Sequence, residues 1–191
     1  MELASKFKTE GNKYFKEKHM LAAIDRYTKA IAAIREYPAI DAPDCHKEVK
    51  DMASVLYANR AAAALGYGDD HTARAELFHN FGVADDAVAM ISWEVELLRK
   101  FDSAEKDARV AIIFNGENAK AHFRLGATLL ELVEKDRDVV EPQAKLREAR
   151  EAFARSNELQ PSPRSEAKRD LAAKLLAEEE AMAKVEPVGP S

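Results

Sequence analysis

Three stretches of this chain repeat one spacing of large and small side chains, and that spacing restricts the fold more than any other feature. The first lies in "KFKTEGNKYFKEKHMLAAIDRYTKAI", the second in "VLYANRAAAALGYG" and the third in "AKAHFRLGATLLEL". Phe7, Gly11 and Tyr14 of the first correspond to Tyr57, Ala61 and Ala64 of the second, and to His122, Gly126 and Leu129 of the third. A partner set follows each: Ala23, Tyr27 and Ala30, then Ala104, Ala108 and Ala111, then Ala149, Phe153 and Ser156. Steps of four and three keep such residues on one face of a helix. Small residues at these points let two helices approach closely, and bulky ones fill the holes beside them. The chain therefore reads as antiparallel helix pairs.

Composition agrees with helix throughout. Ala, Glu, Lys and Leu dominate, while Gly and Pro number only seven each. The dominant residues lose little entropy in a helix. Apolar content of 47% with 33% charged residues is globular, and 191 residues suit one domain with at most a short appendage. The net charge of -5 argues against a bulk nucleic-acid binder, though it leaves room for a local basic patch. Cys45 is the single cysteine, so no internal disulfide can form, which fits a reducing compartment. The start, "MELASKFKTEGN", has no apolar signal-peptide core, and no apolar run approaches the roughly 20 residues that span a bilayer. A cytoplasmic location without membrane insertion is expected.

The two-part unit resembles the tetratricopeptide repeat, a helix–turn–helix of about 34 residues. The resemblance covers nearly the whole chain, and Pro161 stands where that family often ends a repeat with proline. It implies an all-α solenoid of three helix-turn-helix repeats plus a C-terminal capping helix, with a helical insertion in repeat two. The spacing departs from the family: Ala61 follows Gly11 by 50 residues, Gly126 follows Ala61 by 65, and extra residues occur near "EKDRDVVEPQA". Insertions in solenoids enter loops or lengthen helices and leave the stack intact. A single domain is expected over 1–185, with repeats at about 4–37, 54–117 and 119–161 and an insert at about 69–99. The capping helix is expected at about 162–183, hiding the last pair's apolar face, and a frayed tail at 186–191. Helices are expected at 3–17, 19–35, 47–67, 118–134 and 141–158, with "YPAIDAPDCH" as a linker and "GYGDD" as a turn. Residues 84–98 form either an extra helix or an N-terminal extension of one at 101–114.

In stacked pairs the first helix of each pair lines the concave groove. The first such helix carries Lys8 and Asn12, the second Asn59, and the third Lys120 and Arg124. Each pair spaced by four shares a helical face. Lysine offers three N–H donors, arginine five and the Asn amide two. Donors gathered with few acceptors suit a carboxylate, or two close together. Here "KTEGN", "LYANRAA" and "AKAHFR" resemble the carboxylate clamp of co-chaperone tetratricopeptide domains. That clamp holds Glu-Glu-Val-Asp tails of the cytosolic 90-kDa and 70-kDa heat-shock chaperones. The resemblance implies that Lys8, Asn12 and Asn59 hold the main-chain carboxylate, and that Lys120 and Arg124 hold the Asp side chain and nearby peptide groups. Phe15 stands where some relatives place an aromatic against the peptide; packing inside the first pair is the equal alternative. Gly66 replaces a lysine that some relatives carry, which bears on the choice between the two chaperones. Arg60 reads as a structural residue.

Other constellations carry less. Cys45-His46 has no third group to orient a base, so it reads as a loop cysteine beside a histidine. His71 and His79, near Asp69 and Asp70, match no familiar metal spacing. Ala87, Met90, Ile91, Val95 and Leu98 form a helical apolar stripe flanked by Trp93. It packs on its own domain or, as the rival reading, makes residues 84–98 a second partner surface or self-contact. The acidic run 178–180 reads as a solvated face. The expected protein is thus a non-catalytic, cofactor-free adaptor for a chaperone tail. The rival is a scaffold or targeting domain of a larger protein that binds another acidic peptide.

Overall fold

The computed structural model describes residues 1–38, 40, 42, 45–67, 86–136 and 139–185, with 86–99 and 184–185 by backbone alone. Seven α-helices run through the described residues: α1 Glu2–Lys16, α2 Met20–Arg35, α3 Lys47–Tyr67, α4 Asp86–Phe114, α5 Ala119–Lys135, α6 Pro142–Leu159 and α7 Pro163–Val185. Consecutive helices pack against one another along the chain, and α3 also meets α5 while α5 meets α7. This is the contact pattern of a helical solenoid, in which each unit touches its neighbours.

Two core clusters hold the stack, and α3 belongs to both. The first joins Ala4, Met20, Tyr27, Ile34, Leu56 and Tyr57. The second joins Ala61 and Leu65 of α3 to Phe101, Leu129, Leu130, Leu146, Phe153 and Leu176. Full burial of each large apolar side chain contributes about 1.5–3 kcal/mol. Leu176 and Ala172 place α7 against the last pair, as a cap requires.

The small positions of the repeat are sites of close approach. A Cβ on Gly11 would lie 2.7 Å from the Tyr27 ring, and one on Gly126 3.0 Å from the Phe153 ring. Two turns have clear causes. Lys18 closes the α1–α2 turn with φ 67 while Glu17 and Lys18 donate backbone N–H groups to Lys13 and Phe15 carbonyls. Pro142 starts α6 at a position where its fixed φ suits a helix and its missing N–H is not needed.

The structure differs from expectation at one end of α3 and decides between the two readings of the insert. Gly66 and Tyr67 continue α3 where a turn beginning at Gly66 was expected, and Gly68 to Asp85 lie outside the described residues. Residues 86–114 form one helix, the extension reading of the insert, because no Gly or Pro interrupts them. The side chains of the Trp93 stripe, the residues His71 and His79, and the tail 186–191 also lie outside the described residues. No helix among the described residues is long and apolar enough to cross a membrane, and no described cluster of His, Cys, Asp and Glu could hold a metal. The Cys45 thiol donates to the His46 carbonyl at 3.8 Å, not to its ring.

Candidate functional site

The turn between α4 and α5 sets the height of α5 against α3. Asn118 caps α5, its side-chain oxygen accepting from the backbone N–H of Lys120 and Ala121. Its amide nitrogen donates to Ser54 Oγ at 2.8 Å, and that hydroxyl donates to the Ala111 carbonyl at 2.7 Å. Asn115 adds a 2.7 Å bond to Asp51 Oδ1. These links pin the first turn of α5 to α3, so Lys120 and Arg124 take a fixed register relative to Asn59.

Asn12, Phe15, Asn59 and Arg124 line one open cavity of about 150 Å³, with Lys16, Tyr27 and Ala62 completing it. Residues from three helices that are distant in sequence thus meet. Phe15 lines the cavity and also packs partly against the first core cluster. Lys120 lines an adjoining cavity of about 250 Å³ that also contains Arg124, Phe123 and Arg164. Lys8 borders neither cavity; it stands one turn before Asn12 on the same face of α1.

The asparagines are oriented by a residue that the sequence reading assigned only to packing. Tyr27 Oη donates to Asn12 Oδ1 at 2.8 Å, and Asn59 Nδ2 donates to the same oxygen at 3.2 Å. The Asn12 carbonyl is therefore satisfied, and its NH₂ remains available to the cavity. Burial pushes the Tyr27 phenol up to about 12, against an opposing pull from Arg124. The hydroxyl is accordingly protonated and able to donate at neutral pH.

Arg124 is unlike most of the described arginines. Arg60 forks onto Asp107 with two bonds of 2.7 Å and reaches Thr28 with a third, so it is structural as expected. Arg109 forks onto Glu148, and Arg147 and Arg155 pair with Glu180 and Glu117. Among the described residues Arg124, Lys120 and Lys8 have no carboxylate partner within 4.0 Å. Burial first, and then the neighbouring Arg164, pushes the Arg124 guanidinium below its ordinary range, whereas its hydrogen bonds with Asp107 push Arg60 up. The two guanidiniums, Arg124 and Arg164, stand 5.5 and 4.9 Å from the centroid of the Phe123 ring. Such placement is favourable to both and limits their rotation. The arrangement can accept anionic oxygen through oriented donors, and it offers no nucleophile paired with a base.

This helical stack, with its groove across α1, α3 and α5, has the fold of a tetratricopeptide-repeat (TPR) domain. No family model and no curated protein matches the chain in sequence. Solved structures do match. The first TPR domain of the human RPAP3 protein is 25% identical, covering 94% of this chain and 96% of that one, with a TM-score of 0.58. The first TPR of Spaghetti (RPAP3), solved bound to the HSP90 peptide SRMEEVD, is 26% identical over 92% and 94% of the two chains, with a TM-score of 0.54. The second TPR domain of human RPAP3, in complex with the HSP70 peptide SGPTIEEVD, is 24% identical over 90% and 95%, also at 0.54.

Proposed function

We propose that this chain is a non-catalytic adaptor that holds the acidic C-terminal tail of a 90-kDa or 70-kDa heat-shock chaperone by its free carboxylates. The observation that carries the reading is Arg124, set deep in the groove without a carboxylate and sharing a cavity with Asn12 and Asn59. Leaving a cation unpaired in a partly buried site costs stability, so its presence there makes sense if an anion arrives. Relatives of the same fold solved with peptides ending in EEVD support the choice of anion. In this reading Lys8, Asn12 and Asn59 take the main-chain carboxylate, Lys120 and Arg124 take the terminal Asp side chain, and Phe15 forms the wall beside the preceding residue. The single domain over 1–185 and a cytoplasmic setting follow from the same reading.

The energetics suit a reversible contact. Hydrogen bonds to charged groups contribute about 1.5–3 kcal/mol each. Ordering a floppy tail costs about 2–5 kcal/mol. Several such bonds less that cost leave about -8 kcal/mol, a micromolar complex. Calorimetric titration with a Glu-Glu-Val-Asp peptide tests the assignment. Lys8→Ala and Arg124→Met should each weaken binding at least about tenfold, the loss of one charged hydrogen bond. Arg124→Met should do so without lowering the melting temperature, since it removes a charge that the fold leaves unpaired. Unchanged affinity in both variants rejects the assignment.

A further inference from the structure

We propose that Arg164, on the first turn of α7, is a further specificity-determining residue of the groove, reading the side-chain carboxylate of a C-terminal Asp together with Lys120 and Arg124. The proposal rests on the carboxylate-binding reading above and names a contact on the capping helix, outside the three groove-lining helices.

The placement is the first argument. Arg124 lines both cavities and so joins them, one holding Asn12 and Asn59, the other holding Lys120 and Arg164. A terminal Asp carries two carboxylates a few bonds apart. A groove that reads both needs two adjoining donor sets, and these two cavities supply them with Arg124 between.

Charge is the second argument. Arg164 and Arg124 are both held against the Phe123 ring, close enough that Arg164 disfavours the charge on Arg124. Phe123 is itself braced edge-on by Phe153 at 5.4 Å, so the platform under the two guanidiniums is rigid. The nearest acid on that turn does not intervene, because Glu166 accepts from Asn157 Nδ2 at 3.3 Å. Among the described residues no carboxylate pairs with Arg164, while Arg169, a little over one turn on, pairs with Asp170. Like charges brought together with no acid between them repel, and an arriving carboxylate converts that repulsion into two attractions.

The other polar side chains lining the cavity, Ser156, Ser162, Ser165 and Gln160, are neutral, and some of their groups are already engaged. Ser165 and Ser156 share a hydroxyl contact of 3.4 Å, and the Ser162 backbone N–H donates to Asn157 Oδ1 at 2.8 Å. The charged donors there are Lys120, Arg124 and Arg164.

The experiment is a calorimetric cycle on the full chain, with wild type, Arg164→Ala and Arg164→Lys. The peptides end in free-acid Glu-Glu-Val-Asp or free-acid Glu-Glu-Val-Asn. Arg164→Ala should weaken the Asp-ended peptide about three- to tenfold, the range of one partly exposed charged hydrogen bond. Arg164→Lys should recover part of that loss. Against the Asn-ended peptide, wild type and Arg164→Ala should bind alike, which a merely structural role would not produce. Equal loss on both peptides, or no loss on the Asp-ended one, overturns the role of Arg164 while the groove assignment stands. If wild type binds neither peptide, both readings fall together. Arg164 is exposed, so its variants should keep the wild-type melting temperature, and Arg164→Glu provides a charge-reversed check on the same cycle.

Discussion

Tyr27 links packing to recognition through one hydroxyl. Its ring fills the space that Gly11 leaves open, and its Oη fixes the Asn12 amide. Replacing it with Phe should cost about 1 kcal/mol for the lost bond. The phenol also predicts a pH dependence. In the unfolded chain it loses its proton near 10, and in the fold it keeps it until about 12. Between those values the unfolded state binds fewer protons, so stability falls as pH rises through that window. Urea unfolding at pH 8, 10 and 11 should show the advantage of wild type over Tyr27→Phe shrinking with pH. A constant difference across the three would contradict the buried, protonated hydroxyl. The pairs Lys8–Asn12 and Lys120–Arg124 were legible in sequence because four-residue spacing alone puts them on one face. Tyr27 as an orienting group was not, because its bond depends on how α2 crosses α1.

The α5–α6 pair shows how a single Cβ can decide whether two helices meet. Gly126 faces three carbons of the Phe153 ring at 3.0 Å, and Phe123 blocks the ring's retreat. Gly126→Ala gains up to about 1 kcal/mol of helix propensity. Overpacking costs about 1–3 kcal/mol, and with the ring held the larger cost applies, so the net effect should be a loss approaching about 2 kcal/mol. Gly116, whose nearest such contact is the Ile112 carbonyl at 3.9 Å, is the control and should tolerate alanine. Thermal melts of the two variants compare them directly, and equal melting temperatures would refute the close-approach argument. Element boundaries were readable where Asn or Pro marked them, as at Asn118 and Pro142, whereas Gly66, expected to open a turn, lies within α3. The stretch Asp86–Phe114 contains no such mark, so sequence alone left one helix and two equally open. Arg164 escaped notice for a tertiary reason: its place beside Phe123 follows from the docking of α7, which no local spacing encodes.

Across the molecule, the two core clusters meet in α3, and the groove runs over α1, α3 and α5 with α7 at one end. The chain carries a net charge of -5, yet the cations of this groove lack acids beside them. An acidic tail is therefore attracted locally by a molecule that repels it from afar, a balance that salt shifts within about 10 Å. The central claim is that the groove reads a free C-terminal carboxylate. Its most direct test is calorimetric titration of the whole chain with a Glu-Glu-Val-Asp peptide as the free acid and as the C-terminal amide. The account predicts micromolar binding of the acid and at least about tenfold weaker binding of the amide. Equal affinity for the two would contradict it, because a groove indifferent to amidation does not hold the terminus.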